Sequence, residues 1–192
     1  MKYIVPIHHD NFEQIPPRDG FGKALVELGK NNPDVAALCG DLVESTRVQA
    51  FADEFPERYF EMGVAEQNMA GIAAGLALSG KVPFISSYAV FSPGRNWDQI
   101  RVSICYSKAN VKIVGAHAGI SVGPDGATHQ ALEDVAITRV LPNMVVVVPT
   151  DSIEAKKATI AIAKHVGPSY IRFGREKTPV ITKDETPFEL GK

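Results

Sequence analysis

Short apolar runs of strand length recur along this chain, and a segment of helical period follows almost every one. The runs are "DVAALCG", "RYFEMG", "VPFISSY", "NVKIVGA", "NMVVVVPT" and "PSYIRFG". Between them lie "DGFGKALVELGKN", periodic through Phe21, Leu25, Val26 and Leu28, then "STRVQAFADEF" and "GRNWDQIRVSICYSK", with Trp97, Ile100, Ile104 and Cys105 on one side. "ALEDVAITRVL" and "DSIEAKKATIAIAKH" complete the set, the latter opened by Asp151 or Ser152 as cap. Strands that are continuously apolar are covered on both faces, which a helix on each side of a parallel sheet provides. The expected fold is therefore α/β, a mostly parallel sheet flanked by helices on both faces, with the valine run as its strongest strand. Ligands of such sheets bind beyond the carboxyl ends of the strands.

A chain of 192 residues suits one domain with a sizeable core. Residues 1–17 read as an irregular N-terminal segment, 18–176 as the domain, and 177–192, rich in proline and charge, as a tail or the start of a linker. Charged residues make up 22% and the formal net charge is −2 with no basic block, so nucleic acid is not expected as a partner. Cys39 and Cys105 lack metal-ligand spacing and sit beside apolar stretches, as reduced, buried thiols of a cytoplasmic protein do. The start "MKYIVPIHHD" turns polar too soon for a signal peptide. No apolar run attains the roughly 18 uninterrupted residues of a membrane span.

"EMGVAEQNMAGIAAGLALSGK" predicts a helix that is buried on nearly all sides, yet it opens with Glu66. The helix dipole makes an acid tolerable there. Spacing, however, puts Glu66 on the inward face with Met69, Ala70 and Ala73, where a carboxylate should titrate high and needs a partner, such as the ring nitrogen of a ligand. The loop "GAHAGISVGPDGATHQALED" is long for a compact domain and carries His117, Asp125 and His129. Three readings are open: a metal site, for which no third ligand stands at helical spacing; a cap at Thr128 with His129 exposed; or histidines that bind or protonate a polar substrate. Tyr88 and Phe91 end a strand and serve either the core or a flat ring. Arg175 follows the last strand, behind Gly174, where it is either solvated or grips a phosphate. In "CGDLVESTR", Asp41 and Ser45 face the same edge, with capping by Ser45 or Thr46 as the alternative. G-x-G-x-x-G, Walker A, H-E-x-x-H and G-x-S-x-G are absent, as is a Gly-Asp-Gly followed by Asn for a magnesium diphosphate.

From "PPRDG" to "RFGRE" the chain resembles the pyrimidine-binding domain of transketolase, specifically the C-terminal subunit of the split transketolases. The resemblance is carried by "GVAEQNMAGIAAGLALSG", "GPDGATHQALEDVAITRVLPNM" and "VVPTD". It implies ketol transfer between sugar phosphates with thiamine diphosphate, Glu66 bonding the aminopyrimidine ring and favouring its imino tautomer. It implies that Tyr88 and Phe91 flank that ring, with Gly94 and Arg95 near the place of a third aromatic, and that Asp41 lines the cofactor pocket. His129 then stands near the reacting hydroxyls, Asp125 reads stereochemistry, and His117, Arg18, Ser45 and Arg175 contact the distal end of the sugar phosphate. The resemblance implies a cofactor shared across a homo- or hetero-oligomer, its diphosphate and Mg2+ held by a partner subunit. The family's C-terminal subunits also continue into a further α/β domain. Nearest by motif is 1-deoxyxylulose-5-phosphate synthase, although "HQALED" leans to transketolase. The beta subunits of 2-oxo acid dehydrogenases share the Glu-bearing helix and "DQI" but not "DGATHQ". A non-catalytic assembly module of the same fold is the alternative from another class.

Overall fold

A computed structural model describes Ile4 and residues 11–191; the other residues of the N-terminal segment lie outside the described residues. Their elements are β1 (Gln14–Ile15), α1 (Pro17–Asn31), β2 (Val35–Cys39), α2 (Gln49–Glu54), β3 (Tyr59–Glu61), α3 (Glu66–Leu78) and β4 (Val82–Tyr88). Next come α4 (Trp97–Gln99), which runs on as a π-helix (Ile100–Tyr106), β5 (Lys112–Ala116), α5 (Asp134–Arg139), β6 (Val145–Val147), α6 (Ser152–Lys164), β7 (Ser169–Arg172) and β8 (Thr178–Pro179). The main sheet has the order β3-β2-β4-β5-β7-β6, and every pairing in it is parallel.

The pleat sorts alternate residues into two cores. Leu38, Ile85, Ile113 and Tyr170 face α3 and the π-helix, meeting Met69, Ala73, Ile100 and Ile104. Their neighbours Ala37, Phe84, Val114 and Ile171 face α1 and α6, meeting Phe21, Leu25, Ala158 and Ile162. Fully burying a side chain such as Phe84 or Ile113 contributes about 1.5–3 kcal/mol. α1 and α6 approach so closely at Gly20 that an added Cβ would stand 1.8 Å from the Ser152 carbonyl oxygen.

Four elements depart from the sequence expectation. The valine run, expected as the strongest strand, is short: only Val145–Val147 pair, at the sheet edge, and Val148 is exposed. β-branched residues signal extended backbone but do not distinguish an edge from a centre. The helix after Trp97 is π-wound, which puts Ile100, Ile104 and Cys105 on one buried line. α2 begins only at Gln49, because the preceding residues form turns. α3 is not buried on nearly all sides. Glu66, Met69, Ala70, Ala73 and Ala74 are buried, but Ile72 and Leu78 are exposed, and a Cβ added at Gly71 or Gly75 would meet nothing within 4 Å.

The capping choice at α6 falls to Asp151, whose Oδ1 accepts from the Glu154 N–H at 2.9 Å. Its Oδ2 accepts from the backbone of Ile181 and Thr182, fastening the C-terminal segment onto α6, while Phe188 and Leu190 pack on the α1/α6 core. Both cysteines are free and buried, and burial pushes each thiol up to about 11.

Candidate active site

The carboxyl ends of β2, β3, β4, β5 and β7 gather the chemistry-bearing residues at one edge of the sheet. Three of the five non-glycine residues with positive φ among the described residues, Asp41, Arg47 and His117 at 60°, 65° and 54°, lie at that edge. Non-glycine residues in this left-handed region carry strain, which folded proteins keep mainly at binding and catalytic sites.

Glu66 enters the edge from β3. The turn before it is shaped by Glu61, whose carboxylate accepts from Tyr59 Oη at 2.6 Å and from the N–H groups of Asp41 and Gly63 at 2.8 and 2.9 Å. Partial burial acts the other way, but these donors hold the Glu61 carboxyl below its ordinary value. Glu66 then starts α3 with only 3% of its surface exposed. Its carbonyl accepts from Asn96 Nδ2 at 3.1 Å, fixing the first turn against the segment after β4. The partner its carboxylate requires is within the chain: Arg95 Nη1 lies 3.0 and 3.2 Å from its two oxygens. Arg95 also lies over the Phe91 ring, 4.0 Å from its centroid. A cleft lined by Val64, Ala65, Glu66, Gln67, Asn68 and Arg95 opens here.

Phe91 and Tyr88 stack with centroids 6.0 Å apart and planes 19° off parallel. They are neither fully buried core nor free surface. His129 meets both edge-on, at 5.3 Å from Phe91 and 6.4 Å from Tyr88, and on the other side Tyr88 stacks on His117 at 4.1 Å. Both histidines thus pack against the Tyr88 ring, and no group of three or more His, Cys, Asp or Glu among the described residues is placed to hold a metal ion. The cap reading falls as well: residues 120–129 form two 3-10 turns and α5 starts only at Asp134. Thr128 Oγ1 is instead 2.8 Å from His129 Nδ1 and sets the ring's orientation.

Beyond Tyr88 lies a second, polar cleft of about 260 Å³, lined by Arg18, Glu44, Ser45, Arg47, Tyr88, His117, Asp125 and Arg175. Arg18 reaches it from the first turn of α1 and donates to the Ser45 carbonyl at 3.2 Å and to His117 Nε2. Ser45 and Thr46 cap nothing: Thr46 Oγ1 donates to the Leu42 carbonyl at 2.9 Å. Gly123, at φ 82°, gives Arg175 its place, since a Cβ there would stand 2.6 Å from Arg175 Nη1. Burial, then Arg47, lower the Arg18 guanidinium from its ordinary value. Burial, followed by Arg18 and Arg175, lowers His117 to about 4. Arg18 can only donate, so His117 Nε2 accepts and Nδ1 carries the proton. Arg18 Nε and His117 Nδ1 are buried with no partner among the described residues, so two donors stand in a cationic cleft wall.

His117 therefore stays neutral across the working range. Its imidazole resonances should show no titration between pH 8 and 5, and protonation should begin only as pH approaches 4. The folded value is depressed, so the unfolded chain takes up this proton first. The stability His117 contributes is present above pH 6.5 and is lost as pH falls from there toward 4. A proton NMR titration with a midpoint near 6.5 would contradict this placement.

Five predicted residues, Arg18, Ser45, His117, Asp125 and Arg175, thus meet in one cleft, and Tyr88, on its wall, packs with Phe91 and His129, while Arg95 links Phe91 to Glu66. Asp41 lines neither cleft; it is exposed, and its backbone N–H is tied to Glu61. Sequence reasoning missed Arg47 and Glu44 as cleft residues and Arg95 as the partner of Glu66. Arg47, held by Asp19 at 2.6 Å, follows Ser45 and Thr46 directly, and that adjacency is the one sequence signal that pointed to it.

The sequence profile of the transketolase pyrimidine-binding domain matches residues 13–180. The chain belongs to the transketolase family. The fold of this transketolase domain is shared with a split-gene transketolase solved as an "inactive beta4 tetramer", at TM-score 0.83 and 48% identity, covering 94% of this chain and 58% of that one. A Campylobacter jejuni transketolase matches at TM-score 0.82 and 26% identity, over 91% of this chain and 28% of that one. In sequence, the domain is 51% identical to a Methanocaldococcus jannaschii protein named "Putative transketolase C-terminal section", over 91% of this chain and 56% of that protein. It is 40% identical to a 6-deoxy-6-sulfo-D-fructose transketolase subunit of a Clostridium species, over 91% of this chain and 54% of that subunit. The chain thus spans about half the length of these split relatives. No helix among the described residues is long and apolar enough to cross a membrane.

Proposed function

We propose that this chain supplies the pyrimidine-binding half of a transketolase active site. The observation that carries the reading is a chain of contacts along the sheet edge: Tyr88, which lines the cationic polar cleft, stacks on Phe91, and Phe91 shares the Arg95 guanidinium with the buried Glu66 carboxylate. The Glu66 cleft fits the aminopyrimidine of thiamine diphosphate, because Glu66 and Phe91 already accommodate a flat, nitrogen-bearing group, the guanidinium of Arg95. Glu66 would hold the ring by one hydrogen bond, with Phe91 and Tyr88 against its face and Met69 and Ala70 excluding water behind the carboxyl. When bound, the cofactor supplies a carbon nucleophile and an electron sink for a two-carbon ketol unit.

The second cleft suits a sugar phosphate. Arg18 and Arg175 provide planar donors for the phosphate oxygens. His117 and Asp125 bond hydroxyls along the sugar, and His129, at the edge of Phe91, exchanges a proton with the hydroxyl nearest the reacting carbon. Asp41 is assigned to the rim of the cofactor site. The diphosphate and its Mg2+ are assigned to a partner subunit. The exposed flank of α3, with Val64, Ile72 and Leu78 around Gly71 and Gly75, offers that subunit or a second copy an apolar surface open to close backbone approach. The split-gene relative, described as an inactive tetramer of β chains, supports both self-association and the need for another subunit. Such an enzyme acts in cytoplasmic carbohydrate metabolism, in the pentose phosphate pathway. Residues 18–176 are taken as the functional domain, 1–17 as its lead-in and 177–192 as a tail or the start of a linker.

Reconstitution tests this reading. The chain mixed with a diphosphate-binding subunit, thiamine diphosphate and Mg2+ should transfer ketol units to ribose 5-phosphate, and each component alone should not. Product formed from pyruvate and glyceraldehyde 3-phosphate instead would assign a 1-deoxyxylulose-5-phosphate synthase component. Assembly without turnover on either substrate pair would assign a non-catalytic module.

A further inference from the structure

We propose that Arg95 is an internal competitor of the cofactor ring: its guanidinium occupies Glu66 and Phe91, and the aminopyrimidine binds only as Arg95 leaves. The inference rests on the reading of Glu66 and Phe91 as pyrimidine contacts.

The geometry makes the two groups alternatives. The Arg95 guanidinium carbon is 4.0 Å from the Phe91 centroid, so the planar cation lies over the ring face. Its Nη1 meanwhile reaches both Glu66 oxygens, at 3.0 and 3.2 Å. An aminopyrimidine meets the same pair of surfaces in the same way, with a flat π system over an aromatic face and an edge on the carboxylate. The Glu66 carboxylate has lone pairs to spare, but the Phe91 face covered by the guanidinium cannot hold a second flat group, so the ring and Arg95 compete for one place.

Burial shows which partner moves. The Glu66 side chain is 3% exposed and that of Arg95 is 47% exposed. The anion is fixed by the first turn of α3, while the cation hangs from the turn after β4 with a path to solvent. That turn is also set closely: a Cβ at Gly94 would stand 2.0 Å from the Val90 carbonyl oxygen, so the backbone beside Arg95 admits no side chain in this conformation. An unpaired carboxylate as buried as Glu66 is costly, and Arg95 offsets that cost. The same pairing makes the cofactor displace a charged hydrogen bond before it can form its own.

The test uses the complex of this chain with its diphosphate-binding subunit, titrated with thiamine diphosphate in excess Mg2+ by calorimetry. Arg95→Met, which removes the cation and leaves Glu66 in place, should tighten binding about fivefold or more, the scale of a half-exposed charged pair. In a Glu66→Gln background the same replacement should change affinity by less than about twofold, because the neutral amide no longer holds the guanidinium. Arg95→Gln provides a second uncharged variant, and thermal melts confirm that each chain folds. Unchanged or weaker binding in both Arg95 variants would overturn the inference, since Arg95 would then be neutral or an ally of the ring. That failure is distinct from failure of the underlying assignment, which would show as Glu66→Gln retaining full turnover.

Discussion

Replacing Glu66 by glutamine in the reconstituted complex should lower ketol transfer by on the order of 10²-fold or more, the scale of a lost general acid–base contact. The substitution keeps size and polarity. Glutamine is neither acid nor anion, so it can neither share a proton with a ring nitrogen nor pair with Arg95. Glu66 is buried on the same helix face as Met69, Ala70 and Ala73, and no other carboxylate among the described residues stands in the cleft it lines to replace it. The loss should appear in kcat and kcat/KM together, because the contact matters most as the cofactor is activated. Melting temperature should fall little, as glutamine retains hydrogen-bonding capacity at the start of α3. Near-normal turnover at saturating cofactor would remove Glu66 from the mechanism.

Arg18→Met should have the next largest effect, and a selective one. Arg18 reaches the polar cleft with two functions: it donates to the Ser45 carbonyl and to His117, and it leaves a buried Nε free of partners among the described residues. Removing it subtracts a phosphate-binding cation and leaves His117 Nε2 without its donor. Truncating one member of a buried charged contact costs about 2–5 kcal/mol, so kcat/KM for a phosphorylated acceptor should fall by roughly 30-fold to more than 10³-fold. For an unphosphorylated aldose the loss should be much smaller, since the anion that Arg18 grips is missing. Equal losses on both acceptors would mean that Arg18 only braces the cleft. Loss of the Arg18 charge should also let His117 rise from about 4 toward its ordinary 6.5, although burial, the larger cause, remains. That rise would be visible in the same NMR titration.

Much of the architecture was legible because strand and helix periods are local properties. The runs at 35–39 and 113–116 are buried throughout, as continuous apolar stretches require, and Lys112 is buried before the second because its Nζ donates to the His165 and Gly167 carbonyls. The inward face of α3 also followed from spacing alone, because residues three, four and seven positions after Glu66 lie on one side of any α-helix. The placement of site residues at the carboxyl edge of the sheet followed in turn from the parallel order.

Spacing leaves open what meets each face, and long-range packing settles that. Glu66 pairs with Arg95 because β3 and β4 both run parallel to β2, so that the turns after them open at the same sheet edge; no local pattern encodes a partner 29 positions away. His117 and His129 look like a pair in sequence, yet each packs against Tyr88, one stacked and one edge-on, a ring brought in by the neighbouring strand. The valine run reads as the strongest strand but pairs over three residues at an edge, because strand propensity reports backbone preference and sheet order is set by long-range pairing. The class of fold, the faces of its helices and the residues that carry chemistry are thus written in local spacing. Their partners are fixed in three dimensions alone, because pairing depends on where distant strands place the ends of long side chains.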